Sequence, residues 1–201
     1  MMYLDDKNLI LEWEGFYTIK DKELYNENKP GLYLFTVKAE DFYSLHYIGM
    51  TTGGLSSRIV GTGGRTGHLR DYVSGRYYIY NFDELKRLNI KTEYNLNDNF
   101  ETFFCDLEKY QTLARKHIEA VSFLLCPFDS HHELIEIAES LLINHVFAHP
   151  KETREEIFPI IDNSKKVSSK IVNYDLTLIN RFPGNNTVKG LVTPIKTPYM
   201  Y

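Results

Sequence analysis

The chain has 201 residues, 43% of them hydrophobic, which suits one domain with a core of ordinary size. Its two cysteines, Cys105 and Cys126, form neither a disulfide framework nor a zinc-ligand spacing and fit a reduced, cytoplasmic protein. The net charge of -4 gives no global sign of a nucleic-acid partner, and neither a signal peptide nor an apolar run of membrane-spanning length is read from the sequence.

Residues 8–19, NLILEWEGFYTI, are apolar and aromatic and read as strand or collapsed arm. Residues 21–30 are charged and end in a Pro-Gly turn. Residues 32–37 and 45–50 are aromatic-rich β-type runs, and the intervening KAEDFYS suits a hairpin loop. Residues 55–59 open a helix that is broken by GTGGRTG over residues 61–67, and a helix resumes over residues 68–73. Residues 82–88 are a short helix candidate, residues 95–99 read as turn and residues 102–107 as a third strand.

Residues 108–125 have helical composition, with Leu113, Ile118, Val121 and Leu125 as apolar positions and Pro127 as the stop. Residues 133–147 give the strongest helical period, closed by Pro150. Beyond that point loops are expected, with one strand near residues 172–179. The pattern predicts an α/β (α+β) fold: a small three-stranded antiparallel sheet flanked by helices. The organisation is a core over residues 31–163, with a helical insertion near 108–130, and extensions over residues 1–30 and 164–201.

Charge is distributed unevenly. Arg58, Arg65, Arg70 and Arg76 stand against Asp71 alone between residues 54 and 80. Beyond Pro150 eight basic residues face five acids. A local basic face on an acidic protein can bind phosphates, and Arg65, Arg70 and Arg76 are the candidate DNA contacts; the C-terminal lysines read as solvated surface.

Alternation along a hairpin lets Tyr33 and Tyr47 share one face, with Arg58 pointing to the same place from the next helix. An acid on a packed helix would complete a site for metal-assisted phosphoryl chemistry. Gly31-Leu32-Tyr33 and Tyr47-Ile48-Gly49 resemble the two motifs that name the GIY-YIG nuclease superfamily, with Leu for Ile in the first. Arg58 matches the arginine after the second motif. His68 matches the family's histidine, here set apart from Arg58 by the glycine-rich insertion. Glu139 in AESLLI is similar to the metal-binding glutamate, and Asn163 to the asparagine that closes the motif set. The likeness runs from Gly31 to Asn163, which implies a stand-alone member of the restriction, phage or mobile-element kind.

The resemblance implies a role for each residue. Glu139 would hold one Mg²⁺ or Mn²⁺ ion, a hard cation that keeps several waters and takes a substrate phosphate oxygen. Arg58 would fork onto the scissile phosphate. Tyr33 is the candidate general base, although a free phenol titrates near ~10 and needs help at neutral pH. Tyr47 would position water or phosphate, and His68 would accept a proton from Tyr33 or touch phosphate. Each of these residues taken singly also has a plain structural reading, as a packed strand tyrosine, a surface arginine or a core histidine.

Other chemistries are excluded. The glycine-rich segment lacks GxxxxGK[ST], HELIE at residues 132–136 lacks the second histidine of HExxH, and no GxSxG occurs. The expected function is a divalent-metal-dependent endonuclease acting on duplex DNA, which would need a homodimer or two successive nicks to cut both strands. The alternative is a nucleic-acid-binding module with the same fold and no turnover.

Overall fold

In a computed structural model, the chain is described over residues 1–39, 41–61, 67–73, 79–80, 92–94, 105, 107–129, 132–163, 176–191 and 194–196. The elements in chain order are β1 (Met2–Asp5), β2 (Asn8–Glu12), β3 (Glu14–Tyr17), α1 (Glu23–Asn26), β4 (Gly31–Lys38), β5 (Tyr43–Thr51), α2 (Leu55–Val60) and α3 (His68–Val73). They continue as β6 (Ile79–Tyr80), β7 (Thr92–Tyr94), α4 (Leu107–Ala120), β8 (Val121–Pro127), α5 (His132–Ala148), α6 (Lys151–Ile157), β9 (Thr177–Arg181) and β10 (Ile195–Lys196).

The mixed α/β character agrees with the sequence reading, but the central sheet does not have three strands. It has four, in the order β3-β8-β4-β5, all antiparallel. The expected hairpin is β4–β5. Its third strand is β8, not residues 102–107: Leu107 opens α4, and the rest of that range apart from Cys105 lies outside the described residues. The helix read over residues 108–125 therefore ends at Ala120, and Val121 to Pro127 leave it as a strand. This run, VSFLLCP, is almost wholly buried because both of its faces are covered, so it shows no polar alternation. The candidates at residues 82–88 and 95–99 lie outside the described residues.

The two extensions also form ordered structure. β2 pairs in parallel with β9, Asn8 opposite Thr177 through Glu12 opposite Arg181, in a second four-stranded sheet ordered β1-β2-β9-β10. The tail adds α6 as well, where loops were expected.

Strand alternation divides the central sheet into two apolar faces. Leu32 and Leu34 of β4 pack with Ile48, Leu124 and the Ala138, Leu141 and Leu142 side of α5. Tyr33 and Phe35 point the other way, against Leu55 and Ile59 of α2, Tyr72 of α3 and Ile118 of α4. Every residue of α5 from Ile137 to Ile143 is buried. A helix buried on all sides belongs inside a core, and residues of the second sheet (Leu9, Leu11 and Leu178 among them) join the same cluster.

Candidate active site

The site is built from the way β4 and β5 pair. Tyr33 lies directly opposite Gly49. Its ring lies across that glycine: a Cβ at residue 49 would stand 2.3 Å from Tyr33 Cζ and 2.4 Å from its hydroxyl oxygen. The last residue of the YIG motif is thus the gap that admits the tyrosine of the first motif. Gly31 has a similar reason. A Cβ there would lie 2.3 Å from the Cys126 carbonyl oxygen, so β4 can approach β8 only with glycine at its start.

Regular pairing brings Tyr47 to the same face, since it lies opposite Phe35 as Gly49 lies opposite Tyr33, and a bulge follows at His46. The register shifts between Phe35 and Thr36, so His46 is the extra residue between Leu45 and Tyr47. His46 points toward His117, with ring centroids 5.3 Å apart, and Tyr47 stacks near Tyr33 at 6.1 Å. The carbonyl of Ile160 can only accept, so His46 Nδ1 carries the proton and donates to it at 2.8 Å. Burial holds the His46 imidazole below its ordinary value, against the opposing pull of Asp162.

His68 starts α3 and meets Tyr33 end-on, with its Nε2 2.6 Å from the phenol oxygen. Tyr33 is 1% exposed and His68 2%. Burial first, and then the nearby Arg58 cation, lower the His68 pKa to about 3, so the imidazole is neutral at physiological pH. The Tyr33 phenol is pushed far above its ordinary value, chiefly by burial and next by Tyr47. Arg58 pulls it down by charge and hydrogen bonding, while the negative charge of Glu139 raises it. The pair therefore rests as a neutral phenol hydrogen-bonded to a neutral imidazole. Phe35 completes the pocket wall, 5.2 Å from the His68 ring and 5.5 Å from that of Tyr47.

The structure brings four of the six expected catalytic residues together, Tyr33, Tyr47, Arg58 and His68, while Glu139 acts on the Tyr33 phenol only through its charge. They differ in access. Arg58 is exposed and Tyr47 half-buried, whereas Glu139 is 7% exposed on a helix that packs on the opposite face of the sheet. Asn163 is placed differently. Its Oδ1 accepts from Ile48 N–H and its Nδ2 donates to Ile48 C=O, both at 2.7 Å. Both ends of the amide hold the backbone of the YIG strand, so Asn163 acts on the site through β5.

Of the expected DNA contacts, Arg70 is exposed on α3, beside an open apolar groove lined by Leu69, Val73 and Ile118. Arg65 and Arg76 lie outside the described residues. Cys126 is no nucleophile: burial pushes its thiol up to about 12.

Sequence reasoning overlooked Phe35, which lies two residues beyond Tyr33 on the same strand face and was findable by alternation. It also overlooked His46 and His117, whose burial depends on a bulge that leaves no residue signature. Comparison with protein-family models, with curated proteins and with solved structures gives no match.

Proposed function

We propose that this chain is a divalent-metal-dependent endonuclease that hydrolyses DNA phosphodiester bonds, as its motifs suggest. The observation that carries this reading is the convergence of two tyrosines, an arginine and a histidine from four separate elements at the Tyr33 hydroxyl, where the charge of Glu139 is also felt.

The donor set fits one hard cation. Glu139 offers a carboxylate whose charge is felt at the Tyr33 hydroxyl. Among the described residues no group of three or more His, Cys, Asp or Glu side chains could hold an ion. A lone carboxylate suits Mg²⁺ or Mn²⁺, which complete their shell with water and a substrate phosphate oxygen. When bound, the ion supplies charge stabilisation for the phosphoryl oxygens and for the leaving oxygen.

The chain's own groups do the rest. Exposed Arg58 receives the phosphate with a forked pair of hydrogen bonds and needs no change of protonation state. Tyr47 orients the attacking water or a phosphate oxygen. Tyr33 takes the water proton on its oxygen while its own proton passes to His68 Nε2. The phenol then never has to rest as a phenolate, which its burial forbids. The water oxygen bonds to phosphorus, the bond to the leaving deoxyribose oxygen breaks, and that oxygen takes a proton from solvent. Because Tyr33 is 1% exposed, the reactive water is one placed by bound substrate.

The sealing of Tyr33 favours one second reading: a DNA-binding module in which the Tyr33–His68 pair is purely structural. Incubating supercoiled plasmid with the protein and Mg²⁺ or Mn²⁺, beside Glu139→Ala, separates the two. Cleavage that requires the cation and is lost in the variant supports the nuclease. DNA retained in a gel shift without any cutting supports the binding module.

A further inference from the structure

The glycine-rich segment that separates Arg58 from His68 has a structural neck. Gly61 ends α2 in the left-handed region at φ 87°, its N–H donating to the Ser57 carbonyl at 3.1 Å. Gly67 begins the next helical stretch, its carbonyl accepting from Asp71 N–H at 2.9 Å. Both glycines are buried and their backbones touch. A Cβ at Gly67 would lie 2.2 Å from Gly61 N, 2.6 Å from the Val60 carbonyl carbon and 2.8 Å from Gly61 Cα. These are all backbone atoms, so no side chain can swing aside to make room. The φ of Gly67 is outside the left-handed region, so the contact alone requires glycine there.

The last turn of α2 therefore abuts the residue that precedes α3. Arg58 sits three positions before this neck and His68 one position after it. Both side chains that act on the Tyr33 hydroxyl hang from the same contact.

We infer that Gly61 and Gly67 form a clasp that positions His68 against Tyr33, and that the clasp makes this placement independent of the length of the segment between them. Gly67 is a positioning residue: it acts through His68 and touches nothing that reacts. Its meaning for catalysis rests on the nuclease reading, but the placement of His68 does not. The clasp also explains how a motif pair can be interrupted by a glycine-rich insertion and still converge. The ends of a closed loop stay fixed while its length varies, and lengthening such a loop costs little in closure entropy.

The test reads His68 directly. Imidazole resonances would be followed by NMR between pH 8 and pH 5 in three proteins: the parent chain, Gly67→Ala, and a chain with three glycines inserted between Gly63 and Gly64. His68→Gln would supply the assignment. In the parent, His68 stays neutral across this window, in keeping with its pKa of about 3. In Gly67→Ala the added methyl drives α3 from α2, His68 gains water, and its midpoint rises into the window, toward the ordinary value near ~6.5. The insertion leaves His68 as in the parent.

A Gly67→Ala protein with an unmoved His68 overturns the clasp, and so does an insertion that shifts His68 as far as Gly67→Ala does. Should Gly67→Ala fail to fold, the insertion decides: an unmoved His68 supports the clasp and a moved one refutes it. Plasmid cleavage by the parent chain is scored separately. Its absence counts against the nuclease and leaves the His68 result standing.

Discussion

The buried neutral His68 makes stability depend on pH in a way that can be calculated. The imidazole titrates near ~6.5 in an unfolded chain and at about 3 in the folded one. A depressed folded value means that the unfolded state takes up the proton first. The fold is unpenalised above the unfolded value, and stability is lost as pH falls from 6.5 toward 3. Between pH 7.5 and pH 5.0 the unfolded imidazole becomes almost fully protonated while the folded one does not, a loss of about 2 kcal/mol. His46 and His145 are also depressed by burial and add to the acid sensitivity. They drop out of a comparison with His68→Gln, whose amide can still accept from Tyr33. Urea unfolding of both proteins at pH 7.5 and 5.0 gives the four free energies. The gap between parent and variant should move by about 2 kcal/mol in favour of the variant at the lower pH. A gap that does not change with pH would refute the burial argument, and with it the neutral phenol–imidazole pair.

Three further outcomes follow from the geometry. Glu139→Gln keeps the shape of α5 but removes the charge, so metal-dependent plasmid cleavage should fall at least ~10²-fold while the urea midpoint stays or rises; undiminished cleavage would remove Glu139 from the site. Gly49→Ala sets a methyl 2.3 Å from Tyr33 Cζ, and should cost about 1–3 kcal/mol and raise the His68 midpoint, with chemical denaturation and NMR as the measurements. Asn163→Ala removes both bonds to Ile48 and leaves its backbone groups unmatched at the strand edge, a loss of about 1–3 kcal/mol with cation affinity in a calorimetric titration unchanged; a weakened cation site would show that Asn163 acts there directly.

The hairpin and α5 were legible because each carries a local period. Tyr33 and Phe35 alternate with Leu32 and Leu34 across a strand, and residues 134–142 repeat at helical spacing. The third central strand was not legible. Leu113, Ile118, Val121 and Leu125 continue a plausible helical stripe, and a fully buried strand such as VSFLLCP shows no alternation to oppose it. Its β-branched and aromatic content, ended by Pro127, was the one usable signal. The strands of the second sheet were partly legible, near residues 8–19 and 172–179, but their pairing was not, since β2 and β9 meet across most of the chain. The proximity of Tyr33, Tyr47, Arg58 and His68 was legible through motif order. The position of Asn163 was not, because a side-chain amide that pairs with backbone 115 residues away imposes no pattern on the sequence between.

That pairing accounts for the stiffness of the site. β5 is an edge strand, and an edge presents unpaired backbone groups that invite slippage or foreign pairing. Here the edge is bonded at two places. Asp162 N–H donates to the His46 carbonyl at 2.8 Å, and Asn163 then takes both backbone groups of Ile48. Toward its start, Tyr43 accepts from Lys189 N–H at 2.9 Å and donates to the Thr187 carbonyl at 3.0 Å. Tyr47 lies between His46 and Ile48, so β4 fixes it from one side and residues 160–163 from the other. In the proposed nuclease, a hydroxyl that has to place a water within a fraction of an ångström would need a backbone that neither slides nor twists. The regular pairing of Tyr47 with Phe35 supplies its direction, and the bonds from residues 160–163 hold that direction. Residues far from any phosphate, His46 and Asn163 among them, should therefore influence turnover through the aim of Tyr47 and not through chemistry of their own.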